Sequence, residues 1–201
     1  MHSTILTGLA LLTAVFARPQ GDWSSSSAEV PAHGDDSDTY DRHYGQGMNN
    51  KCLNDDDVQT LVDGYTYLLE YPGGPDFNKT ADSILSDKFV VWSDSINTLG
   101  NRPLGTPAFP SLQAFIASQS VTPPLPDVQT LSTFHNCDQI SWRWNATGIQ
   151  NPQVKVNNPM PVLGLITFSV DVEQKKIDTV YSEFNTAAFE HDLGNPECQQ
   201  H

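Results

Sequence analysis

Apolar positions along this chain follow two different periods. Val58, Leu61, Val62, Tyr65, Leu68 and Leu69 fall three and four apart, which draws one stripe along a helix. Asn54 stands where an N-cap is wanted, and Asp55, Asp56 and Asp57 put negative charge on the positive end of the helix dipole. "YPGGP" at 71–75 stops this helix. A shorter one fits 77–86, with Phe77, Ala81, Ile84 and Leu85 on one side. "KFVVWSDSI" predicts a strand and "NTLGNRPLGTPAFP" a long loop. Ser111 then caps a third helix with Leu112, Phe115 and Ile116 inward, and "TPPLP" breaks the chain again.

After that break the period drops to two. β-Branched and aromatic residues predict strands near 128–137, 139–147, 160–172 and 176–187. Helices first and consecutive antiparallel strands later is the order of an α+β domain with helices against one sheet face. A turn at Cys137-Asp138 sets His135 opposite Ile140, Thr133 opposite Trp142 and Leu131 opposite Trp144. That face holds the apolar bulk and is the expected concave one. Phe134 with Ser141 and Ser132 with Arg143 form the other, leaving Arg143 to solvent or an interface. In the last hairpin, a loop at Glu173–Lys176 pairs Val172 with Ile177, Val170 with Thr179, Phe168 with Tyr181 and Ile166 with Glu183. Gly164 then faces Asn185, and Tyr181, Glu183 and Asn185 point inward. A one-residue slip would invert either assignment.

The N-terminal third shows neither period. Residues 5–16, "ILTGLALLTAVF", are apolar but too short to span a bilayer, and end at the small-residue pattern Val15-Phe16-Ala17. A secretory signal peptide over 1–17 is expected, although no Lys or Arg precedes the run. Residues 18–50 turn to Ser, Gly, Asp and His, which predicts a solvated, disordered acidic lead segment rather than a metal site at His33 and His43. One domain over 51–195 and a tail over 196–201 remain, in a secreted, extracellular protein.

A formal net charge of −14 argues against nucleic acid or anionic membrane as partners, since both call for clustered Lys and Arg. Three cysteines in an exported chain predict one disulfide and one spare thiol. Cys52 and Cys198 bracket the domain, and Cys137 could replace either. His135-x-Cys137 supplies too few ligands for zinc, and neither a metal nor a cofactor is expected. Asn78-Lys79-Thr80 and Asn145-Ala146-Thr147 fit the glycosylation sequon.

The segments "CLNDDDVQTLVDGYTYLL", "FVVWSDSIN", "FPSLQAFI", "ISWRWNATG" and "TVYSEFN", within 52–193, make the chain resemble the nuclear transport factor 2-like fold. Within that fold it is similar to the SnoaL-like group of polyketide cyclases and related secreted fungal proteins. The resemblance implies a cone: three N-terminal helices packed on a curved antiparallel sheet that wraps the first helix, with a pocket inside. The fold hosts many functions and does not choose among them.

Placed on such a cone, the strand registers put Tyr65, Asp94, His135, Tyr181, Glu183 and Asn185 inside, framed by Trp92, Trp142 and Trp144. Asp94, His135 and Glu183 are the candidate acid/base groups, because burial and a carboxylate partner bring a pKa towards neutrality. Tyr65, Trp92, Trp142, Trp144, Tyr181 and Asn185 are candidate ligand contacts. Family members with proton-transfer activities use Asp, His and Tyr within the cone; the transfer to Asp94 and His135 is by strand position. The same residues also fit plainer roles: Asp94 capping the turn after its strand, Trp142 and Trp144 as core, Glu183 paired with a core histidine or tyrosine to set register, with His135 the expected partner. Three functions follow. The domain binds a small apolar organic molecule; or it is a cofactor-independent isomerase, dehydratase or polyketide cyclase; or it is a secreted interaction protein whose convex sheet face pairs with another protein or with a copy of itself.

Overall fold

The first helix forms where the apolar stripe places it, as α1 (Asp55–Glu70). Asn54 Oδ1 accepts from the Asp57 N–H at 2.9 Å and Asp57 Oδ2 accepts from the Asn54 N–H at 3.1 Å, so two otherwise orphaned donors are satisfied reciprocally. This is a computed structural model; it describes residues 52–119 and 122–198. The expected signal peptide and acidic lead segment, and residues 199–201 of the tail, lie outside the described residues. Among the described residues no helix is long and apolar enough to cross a membrane.

The chain continues through α2 (Phe77–Ile84), β1 (Leu85–Trp92), α3 (Asp94–Leu99), β2 (Pro107–Phe109) and α4 (Leu112–Ser118). Four long strands follow, β3 (Val128–His135), β4 (Gln139–Ala146), β5 (Val162–Asp171) and β6 (Lys176–Phe184), and then α5 (Thr186–Asp192) and a 3-10 turn, Pro196–Cys198. The sheet order is β2-β1-β6-β5-β4-β3. β1 runs parallel to β6 and every other pair is antiparallel, so the sheet is mixed rather than antiparallel throughout. The helix count also exceeds the expected three: α3 begins inside the strand expected at 88–96 and runs into the expected loop, and α5 begins at the end of the strand expected near 176–187 and continues where no element was expected.

The α+β arrangement itself matches the expectation. Val58, Leu61, Val62, Tyr65 and Leu68 of α1 pack into one core with Ile140, Trp142, Phe168, Ile177 and Val180 of the sheet. Burying each large apolar side chain there contributes roughly 1.5–3 kcal/mol. The two hairpin turns also hold the N-terminus of α1. Cys52 bonds Cys137, the Leu53 N–H donates to the Cys137 carbonyl at 2.9 Å, and Lys175 pairs with Asp57. Cys198 is therefore the free thiol, and the disulfide uses Cys137 in place of a bridge between the domain ends.

Both hairpins carry an extra residue. In the first, His135–Ile140 and Thr133–Trp142 pair as expected, but a bulge at Leu131 sets Thr130 opposite Trp144. In the second, Val170 pairs with Ile177 and Ser169 with Thr179, leaving Asp178 as a bulge whose carboxylate accepts from the Ser86 hydroxyl. The loop is also moved by two positions along β5. Asp171 Oδ1 accepts from the Glu173 and Gln174 N–H groups, and Lys175 takes a positive φ of 55°. One extra residue inverts the phase of a strand. Ile166, Phe168 and Val170 face the core as expected, yet on β6 it is Val180, Ser182 and Phe184 that face inward.

Candidate functional site

Between α1, α4, α5 and the inner sheet face lies a cavity of about 820 Å³. Its deep end is made by buried Tyr65 of α1, Phe115 of α4, Trp144 of β4, Ile166 of β5 and Ser182 of β6. Leu69, Ile96, Leu99, Phe109, Phe184 and Phe189 extend the apolar wall, and Arg102, Thr122, Asn151, Glu190 and Asn195 stand at the more exposed end.

The sequence arranges this locally. Gly164 pairs with Trp144 across β4 and β5, and a Cβ at that position would fall 2.3 Å from the indole ring. The glycine therefore lets the indole lie on the backbone and leaves the space beyond it open. Ser111 caps α4 through the Ala114 N–H, which sets Phe115 against Tyr65 at 6.5 Å between ring centroids. Asn185 caps α5, its Oδ1 accepting from the Ala188 N–H at 3.1 Å, and this turns Phe189 toward Phe184.

Polar groups inside are few and little engaged. Among the described residues, the hydroxyls of Tyr65 and Ser182 make no hydrogen bond and the buried Trp144 Nε1–H has no partner. Burial pushes the Tyr65 phenol well above its ordinary pKa, so it is a neutral donor at any physiological pH.

Most of the residues expected inside are elsewhere. Tyr65 and Trp144 line the cavity. Trp142 is buried core, its Nε1–H donating to Thr130 Oγ1 at 2.9 Å. The β6 bulge turns Tyr181 and Glu183 to the outer face, and Asn185 is a helix cap. Glu183 does not meet His135. Its oxygens accept from the Asp94 N–H at 2.9 Å, the Ser95 N–H at 3.0 Å and the Ser95 hydroxyl, which satisfies the first turn of α3. Asp94 opens that helix instead of ending a strand, and its Oδ1 accepts from the Gly105 N–H at 2.8 Å. His135 sits at the end of β3, where its Nε2–H donates to Asp55 Oδ1 at 3.0 Å. The Asp55 carboxylate, helped by the Asn136 carbonyl, raises the His135 pKa. Trp92, Asp94, Tyr181 and Glu183 together line a shallower outer cavity of about 370 Å³.

The expectation missed Ser182 and Phe184, which the alternation around Tyr181 hid, and Arg102, which lies in a Gly- and Pro-rich loop without periodic signal. Among the described residues no group of three or more His, Cys, Asp or Glu could hold a metal ion. Of the two sequons, Asn78 is exposed on α2 and Asn145 is half-buried in β4 between two strands.

The model of the NTF2-like domain matches residues 51–196. A SnoaL-like polyketide cyclase candidate from Jannaschia Sp. CCS1 has a similar structure, with a TM-score of 0.51, 12% identity, and coverage of 76% of this chain and 99% of its own. IdmH, a polyketide cyclase candidate from Streptomyces antibioticus, gives a TM-score of 0.49 at 16% identity over 67% of this chain and 98% of its own. A truncation variant of IdmH in the 96–104 loop gives 0.50 at 15% identity, over 67% of this chain and 99% of its own. At such identities the likeness concerns the fold. No curated protein matches the chain.

Proposed function

The chain belongs to the NTF2-like domain family, and on that premise we propose that its cavity receives a small, largely apolar organic molecule in a protein exported from the cell. The cavity carries this reading. At about 820 Å³ it lies within the roughly 300–1,000 Å³ range of small-molecule sites, and its buried apolar wall holds hydroxyls left unengaged by the protein. A proton-transfer enzyme would need an acid and a base beside the substrate. Asp94, His135 and Glu183 lie outside the cavity, and among the described residues Glu190 is the one carboxylate in its lining. Binding without turnover is therefore favoured over the isomerase, dehydratase or cyclase alternative.

The test is mass spectrometry of small molecules that co-purify with the protein and with Ile166→Trp, a variant that fills the deep end. The native chain should carry an apolar compound that the variant lacks. Identical extracts from both would overturn the binding role. Export is supported by the apolar run at 5–16 and by the Cys52–Cys137 disulfide, which suits an oxidising compartment. Asn78 is the proposed glycan acceptor, because its side chain stands free on α2.

A specific pattern favours a second role for the outer face, as the contact between two copies. Arg143, Leu165 and Glu183 are neighbours across β4, β5 and β6, and Phe134, Ser141, Thr167, Tyr181 and Trp92 form the next row from β3 to β1. Phe134 is 71% exposed, Tyr181 52%, Leu165 51% and Trp92 37%. A two-fold axis along β5 would set each Arg143 over the partner's Glu183, and Phe134 over the partner's Trp92. Sedimentation of the native chain should show a dimer and that of Arg143→Glu a monomer; a native monomer at all concentrations would end this idea.

A further inference from the structure

Resting on the cavity-binding reading, we infer that the ligand is an amphipathic organic monoanion whose acid group is held by Arg102. Among the described residues, Arg102 is the one Lys, Arg or His side chain in the lining of the large cavity. It follows α3 on a loop braced from both sides. The Arg102 N–H donates to the Asn97 carbonyl at 2.8 Å, and buried Asn97 donates its Nδ2–H to the Thr106 carbonyl at 2.8 Å. The guanidinium is placed as well: Nη1–H donates to the Ala108 carbonyl at 2.6 Å, and the group stands 5.5 Å from the centre of the Phe109 ring. Gly100 gives it room, since a Cβ there would fall 2.8 Å from Nε.

A guanidinium carries five N–H donors in a rigid fork, and the carbonyl occupies one. No carboxylate pairs with Arg102 among the described residues, although the chain has 24 Asp and Glu against 10 Lys and Arg. A fixed, unpaired fork beside an apolar wall of Ile96, Leu99 and Phe109 suits a carboxylate or sulfonate with an apolar body. Glu190 shares the lining, its Oε2 already accepting from Asn195 Nδ2 at 3.2 Å and approached by the Cys198 thiol at 3.5 Å. Its charge disfavours a second negative group on the ligand, which argues for one. The net charge of −14 opposes any anion at long range, but that field is screened beyond about 10 Å, whereas a bidentate contact is not.

Matched fluorescent probes test this: anilinonaphthalene sulfonate and phenylnaphthylamine share a ring system and differ in the sulfonate. Dodecanoate and dodecanol serve as the matched displacers. The anion of each pair should bind the native protein about tenfold more tightly than its neutral partner, as one charge-assisted contact implies. Arg102→Gln should remove that preference and leave the neutral affinity, with Arg102→Lys intermediate because it keeps the charge but not the fork. Ile166→Trp should abolish both probes, which locates them in the cavity rather than on the outer face. Equal affinities for anion and neutral analogue, or an equal loss of both in Arg102→Gln with an unchanged melting temperature, would overturn the anion while leaving the cavity occupied. Failure of every probe and displacer would overturn the anion and the cavity reading together.

Discussion

The two faces of β5 and β6 use polar and apolar side chains in opposite ways. Inward, Ile166, Phe168, Val180 and Phe184 meet the helices, and the polar groups among them, Ser182 and Tyr65, keep their hydrogen-bonding capacity unused. Outward, the polar groups are engaged: Glu183 takes three donors from the start of α3, and Asp94 ties that helix to Gly105. The apolar side chains of the outer face, Leu165 and Tyr181, are the ones left uncovered. Donors that remain free within an apolar cavity are ready for a ligand, because unpaired they cost desolvation. A carboxylate that already caps a helix is a structural part. The chemistry-bearing residues of this sheet therefore hold the protein together on one side, and the other side is shaped to be filled.

The largest test of that contrast is a pair of truncations. Phe168→Ala should lower stability by about 4 kcal/mol in chemical denaturation, while Tyr181→Ala on the same hairpin, compared at concentrations where the chain is monomeric, should cost about 0.5 kcal/mol or less. Comparable losses would mean that the outer face is also covered. Next in size is Glu183→Ala, expected to cost about 2 kcal/mol because it strips the first turn of α3, with probe affinity in the cavity retained. A ligand-binding defect in a variant of native stability would instead place Glu183 in the site and break the contrast. The smallest effect concerns His135. Its pKa is raised in the folded protein by Asp55, so its contribution is fully present below the unfolded value of about 6.5 and fades as pH rises through the folded pKa. A melting temperature followed across that window should fall slightly in the native chain and stay flatter in His135→Gln; parallel curves would show that the Asp55 contact carries no stability.

The helices were readable wherever local chemistry dictates them. Asn54 with three aspartates, and Ser111 before Leu112, are caps whose partners lie within the next turn. The "SDS" of 93–95 combines a local cap with a distant one. Ser93 does cap α3 through the Ile96 N–H, but the helix also depends on Glu183, some ninety positions away, to satisfy its first donors. Local propensity alone could not show that contact. On the strands, alternation identified β5's inner face correctly and β6's wrongly. Asp178 adds one residue, and its carboxylate accepts from the Ser86 hydroxyl of β1. Of the expected site, Tyr65 and Trp144 were placed on the cavity side because a continuous helical stripe and an uninterrupted strand fix their direction. His135 pairs with Ile140 as its local register predicts, whereas the nearness of Asp55 comes from the packing of α1.

Periodicity and composition set the order of α1, α2, β1, α4 and the four long strands, the buried stripe of α1, the apolar side of β4 and β5, and the excess of negative charge. Each follows from periodicity or composition within a few residues of chain. Tertiary structure alone decided that Cys52 meets Cys137, that β1 joins β6 in parallel, and that Glu183 faces away from the cavity. It also brought Arg102 to the cavity lining. Those outcomes depend on a bulge, a crossover and a braced loop, where one residue more or less reverses a side chain's direction and no pattern along the chain records the change.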